Sequence, residues 1–362
     1  MQIKPIRIGK ITAPNNVFLA PMAGYTDYAF RTLALSLGAG FCFTELVSAK
    51  GTVYKAGGTA ELLYCGNCVT DIDGKTVCAN GEKGFDEEVV AANKADKKTD
   101  GKTVAKAENA AGNGVPDIKR TAAQLFGSDP YYMRAAAESD ELKAFDVVDI
   151  NMGCPVPKIY KNGEGSALLG DIRRAEAVVK AAVASGKTVT VKIRTGLKRG
   201  DDVATEFCRM AEASGASLVT IHGRVREDYY SGEPDYAAIA RAKAAVNIPI
   251  IANGGIFTEN DADLMMNKTG ADGVMIARGA IEDPLIFARL TGIPASMTKK
   301  EFILKQLKLA AERKGDKKAA VEFRKFAPYY LKGMINAKNA RIALSRAESV
   351  AEIEKIINSV FI

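Results

Sequence analysis

The sequence predicts an α/β protein: a (β/α)8 barrel of the TIM type with an appended C-terminal helical domain. Eight short apolar runs end in Gly or polar residues, and helical stretches separate them. This alternation implies parallel strands joined by right-handed crossovers, and eight such units in under 300 residues match a closed barrel. The predicted strands are Val17–Met22, Phe41–Leu46, Ala122–Gly127, Val147–Gly153, Val189–Gly196, Leu218–Gly223, Ile248–Gly255 and Gly273–Gly279.

A doubly wound open sheet is the alternative architecture. Such a sheet normally has fewer strands and a glycine-rich first turn, and no Gly-x-Gly-x-x-Gly follows the first run here. We therefore predict a barrel over residues 1–294. Beyond about Ala295 the strand pattern stops, and apolar residues such as Phe302 and Phe326 alternate with Lys and Arg at helical spacing. Residues 295–362 are predicted to form the helical domain.

Residues 65–118 interrupt the barrel pattern. They are rich in Ala, Lys, Asp, Asn and Gly with few large apolar side chains, which predicts a flexible insert. Its place before the third strand predicts a position on the N-terminal face, away from the chemistry. Asp73-Gly74 predicts a tight hairpin over Val69–Cys78. Cys65, Cys68 and Cys78 lack a fourth ligand for a structural zinc site, so no metal is predicted.

Net charge is unevenly distributed in this chain of 362 residues. The formal charge is +7, and Lys299–Arg346 alone holds fourteen Lys and Arg against four Asp and Glu. A basic segment of this kind indicates a polyanionic partner, although a solvated helix surface is the alternative. No apolar run approaches a membrane span, the N-terminus lacks a secretory pattern, and six unevenly spread cysteines suit a reducing compartment. We expect a cytoplasmic protein.

Two neighbouring strand ends predict a phosphate site. Barrel enzymes place their chemistry at the C-terminal strand ends, often with a phosphate bound after the last two strands. Gly254 and Gly255 allow close approach of the backbone, Ala277-Arg278-Gly279 adds N–H groups and a guanidinium, and a helix predicted to start near Asp283-Pro284 adds its dipole. The alternative is that these glycines only tighten the turns.

Lys192 and His222 lie on strands five and six. A cation inside the barrel mouth suits the N1–C2=O edge of a flavin, which gains negative charge on reduction. His222 is the only histidine in the chain, so a His-based metal site or a Ser-His-Asp triad has little to build on. We expect His222 to hydrogen-bond a cofactor or substrate.

Cys154 is the candidate for the reacting group. Gly153 and Pro155 mark a turn that leaves the fourth strand, which argues against the alternative of a small buried apolar residue. A thiol with a pKa of about 8.5 is mostly protonated at neutral pH. Cys154 can therefore act as a proton donor.

Several ordered stretches together resemble the tRNA-dihydrouridine synthases, from about Ile8 to Leu290 apart from the insert, and on into the helical domain. The stretches are Ala20-Pro21-Met22-Ala23-Gly24-Tyr25-Thr26-Asp27, Thr44-Glu45-Leu46-Val47-Ser48-Ala49, Asp149-Ile150-Asn151-Met152-Gly153-Cys154-Pro155-Val156-Pro157-Lys158 and Tyr229-Tyr230-Ser231-Gly232.

The resemblance implies an FMN enzyme that takes a hydride from NADPH and passes it to C6 of a uracil ring in tRNA, while Cys154 protonates C5. Residues implied to hold FMN are Pro21, Met22, Ala23, Gln124, Lys192, His222, Asn253, Gly254, Gly255, Ala277, Arg278 and Gly279. Residues implied to contact the uridine or nearby RNA are Asn151, Lys158, Arg194, Arg224, Arg324 and Lys325. The helical segment, with Tyr329 and Tyr330, is the predicted RNA grip.

The chain departs from the family pattern at three places. Gly255 stands where an acidic residue is common, Phe326 follows the basic pair Arg324-Lys325 where a histidine is common, and the insert has no counterpart. Two alternatives remain: an FMN barrel oxidoreductase acting on a small molecule such as dihydroorotate, and an RNA-binding module that has lost catalysis. We expect a monomer with tRNA as its partner, and the target uridine is not specified.

Overall fold

The computed structural model describes residues 1–64, 68–70, 76–78, 120–335 and 337–361. An antiparallel hairpin precedes the barrel, formed by β1 (Ile6–Ile8) and β2 (Ile11–Ala13). Its apolar residues join Phe18, Phe41 and Phe43 in a small buried cluster. Gly9 at its turn has φ +58, and a Cβ there would lie 2.7 Å from Thr188 Cγ2, at the start of a later strand. The hairpin therefore closes the N-terminal end of the barrel.

Parallel strands form the barrel wall, which confirms the predicted fold class. The strands are β3 (Val17–Leu19), β4 (Cys42–Phe43), β5 (Val47–Ser48), β8 (Thr121–Phe126), β9 (Val147–Met152), β10 (Thr188–Arg194), β11 (Leu218–His222), β12 (Ile250–Asn253) and β13 (Gly273–Ile276). Their order is β3-β13-β12-β11-β10-β9-β8-β4, with β5 also on β8. A bridge between Phe18 and Phe41 joins the two ends of this order. The ring is thereby nearly closed.

The predicted second strand is split in the structure. β4 and β5 flank Thr44-Glu45-Leu46, where the Thr44 hydroxyl donates to the Glu45 carbonyl (2.9 Å) and accepts from the Gln124 amide (2.9 Å). The Glu45 carboxylate accepts a hydrogen bond from the Gly24 amide. Side-chain hydrogen bonds thus replace part of the ladder and let Glu45 reach the loop after β3.

Helices follow the strands and pack outside the barrel. They are α1 (Tyr28–Ser36), α2 (Ala49–Val53), α3 (Thr59–Leu63), α4 (Pro130–Glu138), α5 (Pro157–Lys161), α6 (Ile172–Val183), α7 (Ala204–Ala213), α8 (Tyr236–Ala244), α9 (Glu259–Thr269), α10 (Arg278–Glu282) and α11 (Ile286–Thr291). Short 3-10 turns occur at Asp140–Leu142, Gly165–Gly170 and Arg324–Phe326. Side chains of Asp27, Asp129, Asp171 and Asp235 cap four of the helix N-termini, which satisfies amides that have no partner inside a helix.

The C-terminal region is helical, as predicted. It contains α12 (Lys299–Lys314), α13 (Asp316–Phe323), α14 (Ala327–Tyr330), α15 (Ala337–Arg346) and α16 (Val350–Val360). The region packs on α1, with the Phe30 ring 5.5 Å from Phe302 and 6.2 Å from Phe326. Lys314 also pairs with Asp27 at 3.1 Å. Because apolar rings lie between the two parts, removal of the helices would expose core surface of the barrel.

Two short strands belong to the predicted insert. β6 (Cys68–Thr70) and β7 (Thr76–Cys78) pair antiparallel with Cys68 opposite Cys78, which agrees with the predicted hairpin. Its turn, the Cys65 position, the three thiols and the rest of the insert lie outside the described residues. Within the described part of the chain, no cluster of three metal-ligating side chains occurs, and no helix is long and apolar enough to cross a membrane.

Candidate active site

A cavity of about 360 Å³ opens at the C-terminal ends of the barrel strands, within the size range of small-ligand and cofactor pockets. Every residue predicted to contact the cofactor lines it, namely Pro21, Met22, Ala23, Gln124, Lys192, His222, Asn253, Gly254, Gly255, Ala277, Arg278 and Gly279. Cys154 and three predicted substrate residues, Asn151, Arg194 and Arg224, line the same cavity. The structure therefore gathers the candidate cofactor and substrate groups around one space.

The glycines after β12 and β13 are required where they stand. Gly254 has φ +122, and a Cβ there would lie 2.8 Å from His222 Cδ2. A Cβ on Gly279 would lie 2.2 Å from the Ile256 carbonyl oxygen. Neither position therefore accepts a side chain. Because the clashing atoms belong to the protein, this tight packing also agrees with the alternative that the glycines tighten the turns.

The cradle formed by Gly254, Gly255 and Ala277-Arg278-Gly279 has two helices beside it. A helix starts close to the predicted Asp283-Pro284, since α11 runs Ile286–Thr291 after N-cap Leu285. A further short helix was not predicted: α10 begins at Arg278, directly after β13, and ends before its C-cap Asp283. The Arg278 guanidinium lies 4.8 Å from the Tyr230 ring centroid and 5.6 Å from that of Phe257. These rings hold a cation at the edge of the cradle, where an anion can reach it.

Lys192 lies inside the pocket on β10. Its Nζ donates to Asn253 Oδ1 at 3.0 Å, and Asn253 Nδ2 in turn donates to the Met275 carbonyl at 2.7 Å. Burial, and next the Arg194 charge, lower the pKa of Lys192 to about 7, while Asp149 opposes the shift. With a pKa close to neutral pH, Lys192 is favoured in its charged ammonium form when an anion binds beside it.

His222 is a neutral hydrogen-bonding group. Arg224 Nη1 lies 3.2 Å from His222 Nε2, and a guanidinium only donates, so Nε2 accepts and Nδ1 carries the proton. Burial holds the pKa of His222 well below its ordinary value, and the charges of Arg194, Lys192, Arg224 and Arg278 act in the same direction. The ring therefore stays uncharged at neutral pH.

The loop after β9 holds Cys154 half-buried. Its amide donates to Asn151 Oδ1 at 2.9 Å, and its carbonyl accepts from Ser166 Oγ at 2.7 Å. Burial raises the pKa of the Cys154 thiol, against opposing effects of the Val156 amide and Arg194. Cys154 is thus a protonated thiol held by its own backbone.

Alkylation of Cys154 tests this protonation state. Because burial raises its pKa, the Cys154 thiol stays protonated past the ordinary thiol pKa of about 8.5. We expect the rate of iodoacetamide labelling at Cys154, resolved by peptide mass spectrometry, to reach half its maximum above that ordinary pKa. A midpoint well below that pH would show that Cys154 is a thiolate near neutrality and unsuited to donate a proton.

Two buried arginines hold the loops around the pocket. Arg194 Nε donates to the Gly153 carbonyl at 2.8 Å, and its Nη1 donates to the Val225 and Tyr229 carbonyls at 3.0 and 2.9 Å. Arg224 donates to the Ser231 and Gly232 carbonyls. Much of each guanidinium's hydrogen-bonding capacity is therefore used on the protein itself.

The other predicted RNA contacts lie outside the pocket lining. Lys158 is exposed on α5, just after the Cys154 loop. Arg324 donates twice to the Ala347 carbonyl, at 3.0 and 2.7 Å, so its guanidinium ties the helical region together. The Lys325 ammonium lies 5.9 Å from the Tyr25 ring centroid, where the helices meet the barrel. Their roles toward RNA stay predictions.

Tyr25 and Tyr329 form a contact that the sequence analysis missed. Both line the cavity, and their rings pack edge to face at 5.6 Å. Burial, together with Tyr329, raises the pKa of Tyr25 to about 12. The two residues lie about 300 positions apart in the chain, so no local pattern could have paired them.

Comparisons with known proteins identify a matching family model and similar curated proteins. The family model described as Dihydrouridine synthase (Dus) matches residues 18–64 and 80–361. The tRNA-dihydrouridine synthase B of Pseudomonas syringae pv. tomato is 30% identical over 354 residues, covering 95% of this chain and 90% of that protein. The probable tRNA-dihydrouridine synthase 1 of Synechocystis sp. is 31% identical over 368 residues, covering 98% and 89%.

A more distant likeness concerns the fold alone. Histamine dehydrogenase from Rhizobium sp. 4-9 superposes with a TM-score of 0.50 at 14% identity, over 84% of this chain and 50% of that one. Identity at this level carries no information on the ligand or the reaction.

Proposed function

Because the chain belongs to the dihydrouridine synthase family, we propose that it is a tRNA-dihydrouridine synthase, a flavin-dependent oxidoreductase that uses FMN and NADPH to reduce the C5–C6 double bond of uridine in tRNA. The observation that carries this proposal is the single cavity that Cys154, Lys192 and Gly254 share. Cys154 is a proton donor, Lys192 is a buried cation, and Gly254 is a backbone position without a side chain. This combination suits a flavin enzyme with an acid facing the substrate.

The residues of the cavity fit FMN. Gly254 and Gly279 leave no room for side chains at the cradle, and Arg278 offers a guanidinium beside them for the phosphate. Lys192 offers an ammonium group deeper in the pocket, and the neutral ring of His222 lines the same space. When bound, FMN would supply the hydride that reaches C6 of the uracil ring. The protein's part is to hold the ring and stabilise charge near Lys192.

Cys154 supplies the proton for C5 in this proposal. Its Sγ–H bond breaks as the proton moves to C5, leaving a thiolate at Sγ. Arg194 favours the anionic form of the Cys154 thiol electrostatically, so the charge that appears there is partly compensated. Solvent then returns a proton to Sγ, and the thiol is ready for the next turnover.

The helical region is the proposed RNA grip, since a uridine in folded RNA must leave its stack to enter a barrel mouth. Lys314 and Lys332 are used in ion pairs with Asp27 and Glu282 of the barrel. Lys338 on α15 is exposed and remains for phosphate contact. An FMN-binding barrel at 1–294, a tRNA-binding helical domain at 295–362 and action as a cytoplasmic monomer stay predictions.

Substrate selectivity tests the proposal. We expect purified protein loaded with FMN to oxidise NADPH and form dihydrouridine in unmodified tRNA, while uridine monophosphate turns over at least about a hundredfold more slowly because it lacks the RNA contacts. Dihydroorotate should give no product. Rapid turnover of dihydroorotate, with none of tRNA, would establish the small-molecule alternative. Protein that neither binds flavin nor oxidises NADPH would instead be the RNA-binding module.

Charge reversal on α15 tests the RNA grip through the affinity for tRNA, measured at several salt concentrations. Lys338→Glu should weaken tRNA binding and lower the slope of log Kd against log salt by about 1. Lys10→Glu is the matched control, because Lys10 is exposed at the hairpin turn on the opposite end of the barrel. Equal salt slopes for the two variants would place the RNA elsewhere.

A further inference from the structure

Asp149 lies beneath the pocket on β9, in the same strand as Asn151. Its carboxyl group is fully buried, and among the described residues the pocket lining includes Gln124 and Asn151 but not Asp149. Two donors face it: Thr190 Oγ1 at 2.6 Å and Gln124 Nε2 at 2.7 Å. A buried carboxyl group costs stability unless its partners compensate, so its presence in the barrel interior points to a task.

A chain of hydrogen bonds runs from Asp149 to the Cys154 loop. Gln124 Nε2 donates to Asp149 Oδ2, and Gln124 Oε1 accepts from Asn151 Nδ2 at 3.0 Å. Asn151 Oδ1 then accepts from the amides of Gly153 and Cys154 at 3.1 and 2.9 Å. Every link is between neighbouring side chains, and the last two bonds end on the backbone of the candidate acid.

From this chain we propose that Asp149 is a positioning residue that fixes the orientation of the Gln124 and Asn151 amides and thereby holds the Cys154 loop; its use in catalysis rests on the proposed function. A carboxylate only accepts hydrogen bonds, so the NH2 end of Gln124 must face it. That leaves the oxygen of Gln124 for Asn151, and the oxygen of Asn151 for the Cys154 amide.

The same order presents donors to the pocket. Each amide nitrogen carries two hydrogens, and the chain uses one hydrogen of Gln124 and one of Asn151. Both side chains line the cavity, so in this proposal the second N–H of each is the one left to donate to a bound molecule. Asp149 therefore sets a donor pattern in a pocket that it does not touch.

Asp149→Asn tests the proposal, because an asparagine can turn its own NH2 toward Gln124. Where Thr190 keeps the donation that it makes to Asp149 Oδ1, the introduced NH2 faces Gln124. Gln124 then turns its oxygen to that NH2 and Asn151 follows, which leaves the Cys154 amide without its acceptor. We expect labelling of Cys154 by iodoacetamide in flavin-free protein to become about fivefold faster, as for the loss of one hydrogen bond. Dihydrouridine formation should fall about 10- to 100-fold, as when an outer-shell partner is removed.

Two further variants separate orientation from general damage. Thr190→Val removes the other hydrogen bond to the same carboxyl group but leaves Gln124 in place, so labelling of Cys154 should stay within about twofold of wild type. Combining Asp149→Asn with Gln124→Glu restores the order, since the introduced asparagine NH2 donates to one glutamate oxygen and Asn151 Nδ2 donates to the other. Labelling of that double variant should return to the wild-type rate.

Equal labelling in Asp149→Asn and Thr190→Val, or no recovery in the double variant, would overturn the proposal. If Asp149→Asn does not fold, a folded double variant with wild-type labelling supports it, and a double variant that also fails to fold contradicts it. Labelling needs neither tRNA nor flavin, so failure of the proposed function and failure of this inference are distinguishable.

Discussion

Cys154→Ala is expected to form dihydrouridine about 10²- to 10⁴-fold more slowly than wild type, the range for loss of a positioned general acid. The substitution removes the Sγ proton, while the backbone bonds of the loop to Asn151 and Ser166 remain. FMN binding and NADPH oxidation should therefore stay near wild-type values. Stopped-flow absorbance of the flavin, followed by nucleoside analysis of the tRNA, measures the two half-reactions separately.

Cys208→Ala is the matched control for Cys154→Ala. Cys208 is fully buried on α7 and, among the described cysteines, lies away from the pocket that Cys154 lines. Cys208→Ala also removes one thiol, but this thiol does not line the pocket and cannot protonate a substrate there. The dihydrouridine yield should therefore be unchanged. A wild-type yield from Cys154→Ala would assign the proton to another group, and equal losses in both variants would indicate a stability effect.

Arg194→Met is expected to lower the free energy of unfolding by about 2 to 4 kcal/mol and to abolish measurable turnover. Arg194 as a whole residue is 2% exposed, and its guanidinium donates to the carbonyls of Gly153, Val225 and Tyr229. Buried carbonyls without a donor each cost about 1 to 3 kcal/mol, partly relieved where water enters. Because Gly153 precedes Cys154, the loop that holds the acid is released as well.

Denaturant unfolding measures the stability of this variant, and Arg241→Met is its control. Arg241 also makes a two-atom contact, with Asp202, but its side chain is 55% exposed, so removing that ion pair should cost less than about 1 kcal/mol. Arg194→Lys should be intermediate, since one ammonium cannot reach all three carbonyls. If Arg194→Met and Arg241→Met unfold at the same denaturant concentration, the loops around the pocket do not depend on Arg194 for their stability.

Local sequence patterns predicted the barrel because strand ends carry local signals. β-branched runs followed by Gly or Asn marked the ends of β9, β11 and β12, and parallel strands place such ends at one edge. The hairpin of β1 and β2 was missed, although Ile6 and Ile8 alternate with polar residues before the turn at Gly9-Lys10. The short helix α10 was missed because the eighth strand was predicted to run to Gly279, whereas β13 ends at Ile276 and α10 begins at Arg278.

Residue type and position along the chain by themselves determined the fold class, the candidate acid Cys154 and the strand ends that carry Lys192, Gly254 and Arg278. These features follow from periodicity and from the chemistry of each side chain. Gln124, Arg224 and most other groups around the cavity were implied only by the resemblance to the family. Only the tertiary structure showed that the guanidinium groups of Arg194 and Arg324 donate to protein carbonyls. It also showed that Asp149 is connected to the Cys154 loop by hydrogen bonds through the side-chain amides of Gln124 and Asn151. The physical reason is that hydrogen bonds depend on distance and direction between residues far apart in the chain, which no local pattern encodes.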